Sequence, residues 1–443
     1  MELKIEKIKE LNEKFYENRA NRVAQNAAMT NGIDKASMNK KLEGTETHNY
    51  SISLKQGEVC NQKQSGRCWM FSALNTFRYR IIRDLNLDNF ELSQSYPLFY
   101  DKLEKSNYFL NSIIKTLDED TSSRLVSHLL KDPLGDGGQW DMFVNLVNKY
   151  GVVPKDIMPE CANSEQTRFL DEYLTKLLRG YAVKLRKSYK SGASVEKLEE
   201  MVEEFMKEIH RSLCISLGNP PEKFDFEIRD KDNNFIKDKE ITPVEFFKKY
   251  VKMDLDEYIS IINAPTKDKP YNETYTVDYL GNVIEGKIVK YINLPIEEMK
   301  KAAIAQLKDG EPVWFGCDVG QFFSRNGAIL DTEAVKVDDL FDVSFDMTKE
   351  ERLDYGESLM THAMVFMGVD IDENGNPTKW RVENSWGKDA GKDGYLLMTD
   401  RWFDQYMYQV AVNKKYLSEE IIKNWNKEPK HLKPWDPMGS LAK

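Results

Sequence analysis

The chain has 443 residues, with 63 Lys+Arg against 73 Asp+Glu and a formal net charge of −10. Its hydrophobic content of 41% and aromatic content of 11% can fill a real core, which excludes global disorder, while 24 Gly and 15 Pro exclude a collagenous chain. A net negative chain gains no general attraction to a phosphate backbone, so nucleic-acid binding would need a local basic patch.

The first residues are charged from Glu2 and Lys4 onward, without an apolar run or a small-residue cleavage site, and do not read as a signal peptide. Leu3, Ile5, Ile8, Leu11 and Phe15 recur at helical spacing and predict a surface helix packed on the core. A polar stretch over residues 30–48 precedes the alternating run Tyr50, Ile52, Leu54, which predicts a short strand. From Cys68 the spacing of Trp69, Phe71, Leu74, Phe77, Ile81 and Ile82 predicts a helix, entered from a turn at Gly66. Residues 93–130 read as helix-rich and break at 132–138. A further helix follows from Trp140 to Tyr150, closed by Gly151.

Residues 160–290 differ in texture and read as an inserted subdomain. They hold a long charged amphipathic helix over 194–217, short strands around 224–228, and a helix capped by Thr242 with Pro243 at its first position. After a helix over 296–307 come strand candidates at 312–319, 362–371, 379–384, 394–399 and 407–412. A helical first half and a strand-rich last third predict an α+β fold whose halves face each other. No window approaches the run of roughly 18 uncharged apolar residues that a membrane span needs. The five cysteines (Cys60, Cys68, Cys161, Cys214 and Cys317) are odd in number and scattered, which fits free thiols in a reducing, cytoplasmic compartment. None of them pairs with a histidine at zinc-ligand spacing, so neither metal nor other cofactor is implied.

Only Cys68 combines a helix N-terminus, a preceding glycine and a neighbouring cation, Arg67. Amide dipoles and a cation both favour the thiolate, the nucleophilic form of cysteine. Such a nucleophile needs a base. His128 and His210 lie on charged helices and His431 in a tail, whereas His362 opens an apolar strand that could face the nucleophile's helix. If that strand pairs with the next across a turn at 372–376, Asn384 comes near His362. Its amide oxygen would then orient the imidazole, with Trp386 covering the contact from water. Gln62, upstream of Cys68, could join the Cys68 N–H as an oxyanion donor.

Residues 61–72, which include Gln62, Gly66, Cys68, Trp69 and Ser72, resemble the active-site segment of papain-like cysteine proteases. Thr361-His362-Ala363 and Glu383-Asn384-Ser385-Trp386-Gly387 match that superfamily's histidine and asparagine motifs, and Gly137-Gly138 its substrate-backbone-binding glycines. More closely, nearly the whole chain resembles the bleomycin hydrolase and bacterial aminopeptidase C family. The closer likeness includes residues 91–94, the run 352–362 and the terminus 433–443. The position three before the nucleophile is Ser65 rather than the cysteine of secreted relatives. His362 follows Cys68 by about 290 residues, against roughly 130–150 in the papain signature, a difference the inserted region accounts for.

The resemblance implies a two-lobed papain-like fold divided into an N-terminal helix and arm (1–60), a helical lobe (61–160), the insert (161–290), a β-rich lobe (291–425) and a C-terminal arm (426–443). It implies a thiol aminopeptidase with Cys68 as nucleophile, His362 as base, Asn384 as orienter and Gln62 as oxyanion donor. Gly137, Gly138, Trp386 and the arm residues Ala442 and Lys443 are then expected to bind peptide substrates. It further implies a homo-hexamer, with the insert in oligomer contacts. An endopeptidase of the same fold is the alternative. A nucleic-acid-binding role, known among some relatives, would rest on the basic run 184–190, read here as a solvated helix face and not expected to bind.

Overall fold

The helix Cys68–Asp84 is buried along almost its entire length and forms the spine of the molecule. The computed structural model describes residues 2–42, 44 and 47–442. Around that spine the apolar residues separate into two clusters, one mainly helical and one built on strands, giving a two-lobed α+β architecture. The helical lobe adds Ser95–Lys115, Arg124–Lys131 and Trp140–Tyr150. The last of these stops at Gly151, whose φ of 74° suits glycine. A Cβ there would also lie 2.2 Å from the carbonyl carbon of Pro243.

Strand β1 (Ile52–Ser53) is a short edge piece, while β2 (Phe224–Arg229) and β3 (Phe235–Ile241) form a separate antiparallel hairpin. Next come β4 (Tyr258–Ile262), β5 (Glu273–Val277), β6 (Tyr291–Asn293), β7 (Val313–Cys317), β8 (Phe323–Ser324) and β9 (Ile329–Leu330). The last third supplies β10 (His362–Ile371), β11 (Pro377–Glu383), β12 (Tyr395–Thr399), β13 (Met407–Asn413) and β14 (Lys430–Leu432). Among the described residues these make one sheet ordered β14-β5-β6-β4-β13-β7-β10-β11-β12-β9-β8, with β1 added on β10. β10 lies inside the sheet, antiparallel to both β7 and β11, with His362 opposite Cys317 and Val365 opposite Glu383. Its first eight residues are all buried, as a strand covered on both faces should be.

Three expectations need correction. The opening helix, Ile5–Glu17, has no buried residue, and Leu3, Ile5, Ile8 and Leu11 are all exposed. Its apolar stripe specifies a face to be covered, and nothing in the described chain covers it. The insert is also shorter than 161–290, because β4 and β5, which fall inside those bounds, belong to the main sheet. Its helices Arg168–Lys190 and Val195–Leu217 share the apolar cluster of the helical lobe, with Tyr181 stacked on Phe205 at 4.0 Å. The basic run 184–190 is not simply a solvated face either. Arg186 is buried and donates to the Thr116 carbonyl at 3.0 Å and to the Glu119 carbonyl.

Candidate active site

Cys68 is the first residue of its helix and fully buried, where the lobes meet. Its Sγ accepts from the Ala363 N–H at 3.4 Å, and Ser72 one turn on donates to the Ala363 carbonyl at 2.8 Å. Two contacts thus fix the nucleophile's helix against the start of β10, the strand that His362 opens. His362 Nε2 lies 2.9 Å from Asn384 Oδ1. The same oxygen accepts from the Ser385 N–H at 2.8 Å. A backbone N–H can only donate, so the amide's orientation is settled, and Nε2 must carry the imidazole proton. Nδ1 is left as the basic nitrogen. The Trp386 ring lies 5.0 Å from the imidazole, half-buried over this pair.

Gln62 is buried and tied to the same loop. Its N–H donates to the Ser385 carbonyl at 2.8 Å, and its side-chain Oε1 accepts from Ser385 Oγ at 2.6 Å. Nε2 donates one hydrogen to the Ser65 carbonyl at 2.7 Å and keeps a second. Asn61 and Trp386 form a β-bridge, and Gly387 N–H donates to Cys60 O at 3.0 Å. Gln62 and Asn384, the candidate oxyanion donor and histidine orienter, therefore sit on two segments zipped together.

Arg67 corrects the reading of the thiol. Its guanidinium is buried in a two-point pair with Glu160, at 3.1 and 2.8 Å, and its Nε donates to Ser65 Oγ at 2.9 Å. The cation is neutralised there rather than turned to the sulfur. Burial pushes the Cys68 thiol up to about 12, only partly opposed by the Ala363, Trp69 and Cys68 N–H groups. Burial also pulls His362 down to about 4, against the Asn384 contact that raises it. Burial in this dry site therefore favours the uncharged form of each side chain.

Gly137 and Gly138 occupy the opposite wall. A Cβ on Gly138 would lie 2.5 Å from the Trp69 indole, so only glycine lets this backbone run flat across the nucleophile's neighbour. Lys105 holds the carbonyls of Gly135 at 2.9 Å and Gly137 at 2.7 Å. Asp136 accepts from Gly66 N–H at 2.7 Å and Lys102 at 2.7 Å, and also from Thr167, coupling this wall to the nucleophile's turn. The Lys102, Thr167 and Gly66 contacts hold the Asp136 carboxyl well below the usual range despite burial. On the cleft side, Gly138 N–H donates to the Ala442 carbonyl at 3.2 Å in an antiparallel bridge, and Ala442 is fully buried. Gln139 Nε2 donates to the Ser440 carbonyl at 2.6 Å, while Ser440 Oγ donates to Met360 O at 2.7 Å, just before His362. Lys443 lies outside the described residues. The sequence assigns no role to Gln139, Ser385 or Asp136, because each acts through hydrogen bonds to segments distant in the chain.

The profile of the Peptidase C1-like family matches residues 2–439. The chain belongs to this family. Within it, the chain is 50% identical to aminopeptidase C of Listeria monocytogenes over 441 residues, covering 100% of this chain and 99% of that one. It is 44% identical to bleomycin hydrolase of Mus musculus over 449 residues, with 99% of each covered. The crystal structure of PepW from Lactobacillus rhamnosis HN001 superposes with a TM-score of 0.97 at 51% identity, covering 100% of this chain and 99% of that one. The chain is thus a cysteine peptidase of the aminopeptidase C and bleomycin hydrolase family, with the two-lobed papain-like fold. No helix among its described residues is long and apolar enough to cross a membrane.

Proposed function

We propose that this cysteine peptidase is a thiol aminopeptidase that removes N-terminal residues from peptides by a Cys-His-Asn mechanism, its C-terminal arm limiting access. His362 Nδ1 takes the Cys68 proton as Sγ attacks the scissile carbonyl carbon, and the C=O electron pair becomes the oxyanion. The Cys68 N–H and the second Gln62 Nε2 hydrogen receive that charge. The C–N bond then breaks, with the proton on Nδ1 passing to the leaving amine. A water then gives a proton to Nδ1 as its oxygen attacks the thioester carbonyl, the C–S bond breaks, and the proton returns from Nδ1 to Cys68 Sγ. Asn384 keeps Nε2 protonated and the ring in plane throughout.

The observation that carries the aminopeptidase reading is the bridge between Ala442 and Gly138. The chain's own terminus occupies, strand-like, the backbone rack that an extended substrate would need on the non-primed side. A substrate can then enter only as far as the arm's end. There its α-ammonium meets the arm's end, where a carboxylate would pair with it. Deleting residues 440–443 tests this. A lost charge-assisted contact of about 1.5–3 kcal/mol should lower kcat/KM for free-amino peptides by roughly ten- to a hundredfold, while N-blocked peptides become substrates. A truncated enzyme with undiminished preference for free amino termini overturns the assignment.

The assembly belongs to the same proposal. The uncovered apolar stripe of Ile5–Glu17 and the exposed flank of the insert fit a homo-hexamer, whose enclosed sites would admit peptides but not folded proteins. Light scattering should give six times the 51.6 kDa chain mass. A monomer at working concentration defeats this part of the reading. The free state of all five cysteines supports a reducing, cytoplasmic setting.

A further inference from the structure

The arm reaches the cleft through residues 433–439, and its register there is decided away from the reacting atoms. Lys269 Nζ donates to Asp436 Oδ2 at 3.0 Å, with side chains only 3% and 9% exposed. Lys269 also meets Asp268 at 2.7 Å, but that carboxylate is 60% exposed and well solvated. The lysine is built on a fixed loop, because Asn293 of β6 donates to its carbonyl at 2.6 Å. The other Asp436 oxygen, Oδ1, accepts from Met438 N–H at 2.8 Å and closes the tight turn Pro437–Gly439. Met438 is buried in the helical lobe's apolar cluster, and its carbonyl accepts from Tyr291 OH at 3.2 Å. One carboxylate therefore does two things: it docks the arm on the β-rich lobe and sets the direction in which residues 440–442 leave the turn.

We propose that the buried Lys269–Asp436 pair is the positioning contact that sets how far the arm advances along Gly138, and so where peptide substrates must end. The inference rests on the aminopeptidase reading above. A salt bridge this dry is costly to break: without Lys269 the buried Asp436 carboxylate loses its cation, and without Asp436 the lysine keeps only the exposed Asp268. One residue of slippage in an extended segment moves its end by about 3.3 Å and turns its side chains to the other face. The arm's end would then miss the substrate's ammonium, although nothing at Cys68 had changed.

The test uses full-length Asp436→Asn, which keeps the acceptor for Met438 N–H and removes the charge, beside the double variant Lys269→Met/Asp436→Asn, which leaves no buried charge unpaired. Each is assayed for kcat/KM on a free-amino peptide amide and on its N-acetylated counterpart. The iodoacetamide inactivation rate reports the Cys68–His362 pair independently. The expected result is a fall in the free-amino to acetylated ratio of about tenfold or more, the shift that losing a hydrogen bond to a charged group produces, with the inactivation rate unchanged. If deletion of 440–443 abolishes the preference while both variants keep it, the pair is merely structural and the inference fails. If the deletion itself leaves the preference intact, the aminopeptidase reading fails first and takes the inference with it. A ratio that falls only in step with the inactivation rate also overturns the inference, since the damage then lies at the nucleophile.

Discussion

Replacing Cys68 by Ser should abolish turnover, with a loss on the order of 10⁴–10⁶ in kcat. The substitution is sterically mild. Cys68 heads a helix whose hold on β10 includes the Ser72 contact to Ala363, which serine at position 68 leaves intact. The chemistry is what fails: burial already pushes the thiol up to about 12, and a hydroxyl in the same dry position starts several units higher. A neutral imidazole pulled down to about 4 cannot hold that proton away from oxygen. Circular dichroism and assembly should match the parent enzyme, which separates lost chemistry from lost fold. Alkylation adds a second check. Cys60 and Cys317 are buried with raised thiols, while Cys161 and Cys214 are half-buried, and none of the four faces His362 Nδ1 in the proposed mechanism. Inactivation should therefore track Cys68 alone, and persist in Cys161→Ser and Cys214→Ser. Parental activity in Cys68→Ser would rule out the thiol mechanism.

Gln62→Ala should lose on the order of 10²–10³ in kcat with little change in KM, the usual cost of one oxyanion donor. KM is spared because the second Nε2 hydrogen has no ground-state partner to lose. Its interaction arises only as charge develops on the scissile oxygen. The variant also gives up the 2.6 Å contact with Ser385 Oγ, so part of a deficit could come from a loosened loop. Gln62→Glu separates the two effects. It keeps an acceptor for Ser385 but places a carboxylate where a donor is needed, and should be at least as inactive as the alanine variant. Recovery of kcat in Gln62→Glu would assign the role to loop support rather than to the oxyanion.

The candidate residues Cys68, His362 and Asn384 were legible in the chain because each sits on a local signal. Cys68 follows a turn glycine into an apolar helix, and His362 begins a strand whose continuous apolar run marks it as buried on both faces. Asn384 was placed by counting back across the turn, since antiparallel pairing converts sequence distance into register. The 2.9 Å contact between His362 and Asn384 is the outcome of that count. Boundaries such as Trp140–Tyr150 and Ser194 before Val195–Leu217 were legible for the same reason: caps and periodicity depend on neighbours in the chain.

What the sequence could not decide was which distant group each charge would choose. Arg67 stands next to Cys68 in the chain, yet its charge is spent on Glu160, because a buried guanidinium is stable only where a carboxylate can meet it at two points. The strands β4 and β5 fall inside the expected insert because they are short, and Tyr258–Ile262 is buried throughout and shows no alternation. Only the pairing of β4 with β13, and of both strands with β6, makes them part of the sheet. The helical period of residues 3–15 fixed an apolar face but not its cover, and the tertiary structure leaves that face open. The arm followed the same division. Its terminal residues were recognisable, but their seat on Gly138 and the Lys269–Asp436 pair behind it exist only once the two lobes close. Local sequence sets the periodicity of each element, whereas a buried charge or an extended strand is stabilised by partners that folding alone brings within reach.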